Sequence, residues 1–212
     1  MNSIQLKAKL RNVAKEKNMN FNSLIRLYMY DRFLERLSKS KYRDNFVLKC
    51  GFYLSTLFGV ENRATMDIDI ATGDPITPKE IRYKYLPLLG DYYIDLYAYN
   101  IETVLAEKIE TMLNRLELNG RTRDFYDIYL IYKKEWQNIN IDYFRKAIDK
   151  AFTKREYKGD PFEGLDIIRN SEILKERWNK YQRNFEYAEG IEFEDIMNCL
   201  EKMIEQFETV VV

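Results

Sequence analysis

The sequence predicts an α+β protein: a small sheet covered by helices, followed by a mainly helical C-terminal half. Three observations predict it. Two runs, Thr65 to Ala71 and Tyr92 to Ala98, are rich in β-branched or aromatic residues, alternate in polarity and are followed or preceded by turn-forming residues. From Glu102 onward the apolar residues recur instead at helical spacing. The 212 residues are 46% hydrophobic and 32% charged, enough to close a substantial core and too apolar for a disordered chain. Residues 1–110 are expected to hold the N-terminal helices and the sheet-bearing core, and residues 111–212 a helical region.

In chain order, residues 3–17 predict a helix with Leu6, Leu10, Val13 and Ala14 on one stripe. Asn20-Phe21-Asn22-Ser23 offers cap residues for a second helix, whose buried stripe is Leu24, Leu27, Tyr28, Phe33, Leu34 and Leu37. A third helix starts near Gly51 and covers Phe52 to Phe58. After the first strand, Gly73, Pro75 and Pro78 mark a turn-rich connection. In the second strand Ile94 and Leu96 share one face, and Tyr93, Asp95 and Tyr97 the other. Beyond it, Val104, Leu105, Ile109, Met112 and Leu116 form a helical stripe. Asn119-Gly120 breaks that helix, and the next runs from Thr122 to Lys134 with Phe125, Ile128, Tyr129 and Tyr132 inward. Residues 142–152, 162–184 and 192–208 predict further helices.

Composition narrows the chemistry. Lys+Arg and Asp+Glu are both 34, so any nucleic-acid contact must come from a local basic patch rather than a net field. With no histidine, a His-based zinc site and a Ser-His-Asp triad are excluded. Cys50 and Cys199 are too few for a disulfide scaffold and fit a reducing cytoplasm. The opening MNSIQLKAKLRNVAKEKN lacks the apolar core of a signal peptide, and no apolar run approaches bilayer-spanning length. The expectation is a cytoplasmic protein without a membrane partner, whose catalysis rests on carboxylates, Lys, Arg, Tyr and a hard metal ion.

Four segments carry candidate chemistry. In Arg63-Ala64-Thr65-Met66-Asp67-Ile68-Asp69-Ile70, strand alternation puts Asp67 and Asp69 on one face, about 6–7 Å apart. Two carboxylates at that separation can share a pair of hard cations about 4 Å apart, the clamp used on triphosphates. Acids also decorate exposed edge strands, so the pair alone leaves both readings open. In Lys49-Cys50-Gly51, a glycine at a helix start lets backbone N–H groups approach a phosphate, although an isolated turn glycine is more often only a turn. Lys108 and Arg115, seven residues apart on a helix, suit a triphosphate tail or a solvated Glu–Lys face. In Arg121-Thr122-Arg123-Asp124-Phe125-Tyr126-Asp127, the i,i+3 pair Asp124 and Asp127 and the i,i+4 pair Arg123 and Asp127 form a polar cluster, catalytic or merely helix-orienting. Lys146, Lys150, Lys154, Arg155 and Lys158 make a basic stripe, either an RNA-backbone contact or a solvated face.

Taken in order, these segments resemble the AbiEii/AbiGii family of nucleotidyltransferase toxins, found in type IV toxin–antitoxin and phage abortive-infection systems. Glu35-Arg36-Leu37-Ser38-Lys39-Ser40 followed by Phe46-Val47-Leu48-Lys49-Cys50-Gly51 resembles the family's lead-in and K-G-G turn. Arg63-x-Thr65-x-Asp67-Ile68-Asp69 resembles its metal-binding motif, and Thr72-Gly73-Asp74-Pro75-Ile76-Thr77-Pro78 a family loop. Tyr99 to Lys108 and Arg123 to Asp127 resemble its third and fourth motifs. The likeness runs from about residue 20 to residue 135. It implies a DNA polymerase β-like nucleotidyltransferase core that moves a nucleotide from an NTP, with Mg²⁺, onto an RNA such as the 3′ end of tRNA or onto a protein. It also implies a cognate antitoxin partner, typically a winged-helix regulator. Carried over by position, Asp67 and Asp69 bind metal; Asp67, Asp69, Lys108 and Asp127 serve catalysis; and Lys49, Gly51, Arg63, Thr65, Lys108, Arg123 and Asp124 contact the nucleotide.

The chain departs from that pattern twice. Cys50 stands where relatives have the first glycine of K-G-G. More consequentially, relatives separate T-x-D-I-D from a second strand reading roughly I-D-I-x-T-G-D by several dozen residues, whereas here both motifs share Ile68-Asp69-Ile70. One residue cannot stand on two neighbouring strands about 4.8 Å apart. The third carboxylate is therefore missing, or Asp74 or Asp95 replaces it. Two expectations follow: a nucleotidyltransferase shortened by an internal deletion, with weak or absent turnover, and a non-catalytic remnant that binds a nucleotide or an antitoxin.

Overall fold

The computed structural model of the chain describes residues 2–63, 65, 67–72, 76 and 79–208. The architecture is α+β, and contacts divide it into two compact units, Met1–Pro75 with Lys79–Tyr99, and Ile76–Pro78 with Asn100–Val212. The division expected at residues 110/111 falls inside a helix, α4 (Ile101–Arg115), which lies whole in the second unit.

The first unit contains α1 (Ser3–Glu16), α2 (Phe21–Ser38), β1 (Val47–Lys49), α3 (Cys50–Phe58), β2 (Asp69–Ala71), β3 (Ile81–Tyr85) and β4 (Ile94–Ala98). The Asn2 side chain accepts from the Gln5 amide in a capping box, and the Asn20 side chain accepts from Asn22 and Ser23, which starts α2 where the sequence places it. The strands form one sheet in the order β2-β1-β4-β3, with β1 parallel to β4 and the outer pairs antiparallel. Because strand partners share a face, the register sorts the side chains cleanly. Leu48, Ile94, Leu96, Ala98 and Tyr85 lie on the buried face. There α2 packs on β4 and α3 on β1 and β2, with the Phe52 ring edge-on to both Tyr30 and Tyr85 at 5.8 Å. Asp69, Lys49, Tyr97, Asp95, Arg82 and Lys84 occupy the opposite face.

The structure corrects the two-strand expectation. β1 is only three residues long, too short for its pattern to stand out, and β3 shows the alternation of Ile81, Tyr83 and Tyr85 against Arg82 and Lys84. The strand expected from Thr65 begins at Asp69, so Asp67 precedes it. On α2, Phe33 is exposed, and the buried position in that turn belongs to Asp31, whose carboxylate accepts from Tyr85 Oη (3.2 Å) and Leu88 N (2.7 Å).

The second unit is helical among its described residues: α4, α5 (Thr122–Glu135), α6 (Ile141–Lys154), α7 (Pro161–Asn170), α8 (Glu172–Asn184) and α9 (Phe193–Glu208). Asn100 caps α4 through a 2.7 Å bond from Thr103 N, and α4 packs on α6 while α5 packs on α9. Ile109, Met112, Phe125, Ile128, Phe144, Ile196 and Met203 are buried in this core. The stretch 162–184, expected to be helical, holds two helices parted at Ser171, whose hydroxyl accepts from Leu174 N and caps α8. Leu116, expected on the α4 stripe, lies past the helix end with φ +47°. Among the described residues no helix is long and apolar enough to cross a membrane.

Candidate active site

In the first unit the candidate residues gather around the start of α3. β1 ends at Lys49, which is the N-cap of that helix, and Lys49 pairs across the strands with Asp69. The Lys49 ammonium sits 4.7 Å from the Tyr99 ring centroid. Cys50 adopts φ +35°, the left-handed region that favours glycine. Gly51 follows in a crowded place: a Cβ added there would meet Thr65 Oγ1 at 2.9 Å, Arg63 Nη1 at 3.3 Å and Asp67 Oδ1 at 3.5 Å.

Those three side chains therefore converge on one glycine. Arg63, only 3% exposed, donates from Nη1 to the Gly51 carbonyl at 3.0 Å. Thr65, equally buried, places Oγ1 3.1 Å from both the Asp67 carbonyl and Asp67 Oδ1. Asp67 and Asp69 are themselves exposed. Of the residues singled out in the sequence, Gly51, Arg63, Thr65 and Asp67 converge in this unit, and Lys49 and Asp69 pair across neighbouring strands.

The donor set suits a hard cation. Mg²⁺ is held through one or two carboxylates, completing its shell with water and substrate phosphates rather than an all-protein cage. Asp67 and Asp69 offer two exposed carboxylates two positions apart, but Asp67 precedes β2, so strand alternation does not set them on one face as expected. Among the described residues no group of three or more His, Cys, Asp or Glu side chains gathers to hold a metal. Asp95 does not complete the set. It lies on the Asp69 face, but Lys49, the partner of Asp69, is two residues beyond Val47, whose partner on β4 is Tyr97; Asp95 is two residues before Tyr97. That offset of four residues is about 13 Å along the strand, two strands away. Asp95 instead accepts from Arg82 Nη2 at 2.7 Å. Asp74 lies outside the described residues.

The other candidates form a second cluster, within the helical unit. Lys108 on α4 contacts two acids of α5, with Nζ 2.6 Å from Asp124 Oδ1 and 2.7 Å from Asp127 Oδ2. All three side chains are at most 5% exposed. Arg121 Nε adds a 3.2 Å contact to Asp124 Oδ2, a residue that sequence reasoning left without a role although its i,i+3 spacing was visible. Arg123 is half-buried, with its guanidinium 5.8 Å over the Phe185 ring. The solvated-face reading of Lys108 fails because α4 is buried on nearly every side, whereas Arg115 is exposed. Of the basic stripe, Lys146, Lys154, Arg155 and Lys158 are exposed and Lys150 half-buried.

A family profile described as nucleotidyl transferase AbiEii toxin, type IV TA system, matches residues 32–82 and 68–202. The chain belongs to the AbiEii nucleotidyl transferase toxin family. The two AbiEii matches overlap at residues 68–82, which include the Ile68-Asp69-Ile70 segment where two motifs coincide. No curated protein and no solved structure matches the chain. Membership in the AbiEii family makes this a nucleotidyltransferase-type toxin with an α+β fold.

Proposed function

We propose that the chain is a Mg²⁺-dependent nucleotidyltransferase toxin that moves a nucleotide from an NTP onto an RNA acceptor, through a catalytic core shortened by an internal deletion. The observation that carries this reading is the arrangement at the head of α3: two exposed carboxylates, Asp67 and Asp69, beside a glycine turn, on a chain of the AbiEii family. Mg²⁺ held by those carboxylates would screen the triphosphate and polarise the transferred phosphoryl group. Backbone N–H groups at the first turn of α3 offer donors to phosphate oxygens. Lys49 contributes positive charge at the same helix start. The overlap of the two family matches at residues 68–82 supports the deletion. A cognate antitoxin is the partner that this family membership suggests.

Asp95, held by Arg82 well down β4, favours a second reading, in which the domain binds nucleotide or antitoxin without turnover. One experiment separates them. The protein is incubated with each labelled NTP, Mg²⁺ and total tRNA, beside Asp67→Ala. Label transfer that disappears in the variant supports the enzyme. Retained Mg²⁺–nucleotide binding without transfer from any NTP supports the remnant.

A further inference from the structure

Asp67 presents a mechanical problem. A carboxylate that holds a cation must keep a fixed orientation, yet Asp67 precedes β2, so no strand ladder secures its backbone. It is also exposed, so burial does little to fix its side chain. The structure supplies another restraint. The Thr65 hydroxyl lies 3.1 Å from the Asp67 carbonyl and 3.1 Å from its Oδ1, so one buried group restrains both the backbone and the carboxylate of the same residue.

Thr65 is in turn seated by its surroundings. Arg63 reaches across twelve residues to the Gly51 carbonyl, tying the segment before β2 to the first turn of α3. Gly51 lets the two segments approach, since a Cβ there would stand 2.9 Å from Thr65 Oγ1, inside normal contact distance.

We propose that Thr65 is a positioning residue for the Asp67 carboxylate, and that Arg63 and Gly51 form the seat that holds Thr65 in place. In this proposal Arg63 and Thr65 act through Gly51 and Asp67, in place of the direct nucleotide contact that family position implies. Burial supports the exchange, because both side chains are turned inward and their polar atoms are engaged with the protein. This inference rests on the proposed cation site at Asp67 and Asp69.

The test uses the full chain and Mn²⁺ as a spectroscopic stand-in for Mg²⁺, with binding read by electron paramagnetic resonance and folding by circular dichroism melts. Groups that orient metal ligands typically change metal affinity by about 10- to 100-fold. Thr65→Val, which keeps the shape and removes the hydroxyl, is expected to weaken Mn²⁺ binding at least about tenfold. Thr65→Ser restores the hydroxyl and is expected to stay within about threefold of the parent, because the donor survives. Gly51→Ala is expected to weaken binding by displacing Thr65. A Thr65→Val protein that binds Mn²⁺ like the parent, while Asp67→Ala does not bind, overturns the positioning role and leaves the cation site standing. Equal binding by the parent and Asp67→Ala, or no binding by the parent, overturns the cation site and the positioning role with it. If Thr65→Val is unfolded, the comparison of Thr65→Ser with Gly51→Ala decides: weakened binding by Thr65→Ser with none of the expected loss in Gly51→Ala counts against the proposal.

Discussion

Lys108 Nζ stands 2.7 Å from Asp127 Oδ2, and the acid of that pair is fully buried. Lys108 also holds Asp124 at 2.6 Å, so losing Asp127 removes one of its two acids, whereas losing Lys108 takes the shared ammonium from both buried acids. Asp127→Ala is therefore expected to destabilise the second unit by about 1–3 kcal/mol. Urea denaturation followed by tryptophan fluorescence measures this, since Trp136 and Trp178 both lie in that unit. Lys108→Met should cost more, about 3–5 kcal/mol, and the double variant less than the sum of the two.

Stability should fall as pH rises through the weakly acidic range, because of Asp31. Burial pushes its carboxyl from 3.8 up to about 6, against the lowering effect of the Leu88 and Tyr85 hydrogen bonds. Between those values the folded chain binds the proton and the unfolded chain does not. The contribution is thus fully present below pH 3.8 and lost as pH rises through about 6. At 1.36 kcal/mol per pH unit it amounts to about 3 kcal/mol. Asp31→Asn should flatten the dependence. Its oxygen can accept from Leu88 N and its amide can donate to Tyr85 Oη. Urea melts followed by circular dichroism at pH 4 and pH 7, for both proteins, test it.

Cys50→Gly should stabilise the protein. A side chain at φ +35° carries a left-handed strain of about 1–2 kcal/mol, partly offset by the greater backbone freedom of glycine in the unfolded state, about 0.5–1 kcal/mol. The net expectation is a gain of about 1 kcal/mol and a higher melting temperature. Cys50→Val, branched at Cβ, should lower it.

Asp95→Asn is expected to leave label transfer within about twofold of the parent, because the strand register keeps this residue about 13 Å along the sheet from Asp69. The loss of the pair with the 40% exposed Arg82 should cost less than about 1 kcal/mol. A collapse of transfer in this variant, with folding intact, would restore Asp95 as the third carboxylate.

Much of this fold is legible in the residues. Asn20, Asn100 and Asn140 each begin a helix by accepting backbone N–H bonds, and the apolar periodicity of α4, α5 and α9 is plain. What escaped has physical causes. β1 has only Val47, Leu48 and Lys49, too few residues to show a period, and it exists because both β2 and β4 pair with it. Ser171 splits an apparently continuous helical run because a side-chain cap competes with helix propagation. At the site, the spacing of Asp67 and Asp69 announced two acids but not the Thr65 hydroxyl on one of them. Spacing alone left Lys108 open between a phosphate contact and a solvated face, because the partners that bury it lie sixteen and nineteen positions later, on another helix.

The position of β2 at the margin of the sheet has one more consequence. Its outer backbone groups have no strand partner among the described residues, and such a rim invites pairing with another chain. The charge of Asp69, at the first residue of that rim, opposes such stacking, so the acid proposed for cation binding also guards against self-association. An uncharged residue at position 69 would then lower solubility as well as metal affinity, and aggregation could pass for lost activity. Asp67, which lies off the strand, is the cleaner position at which to remove a charge.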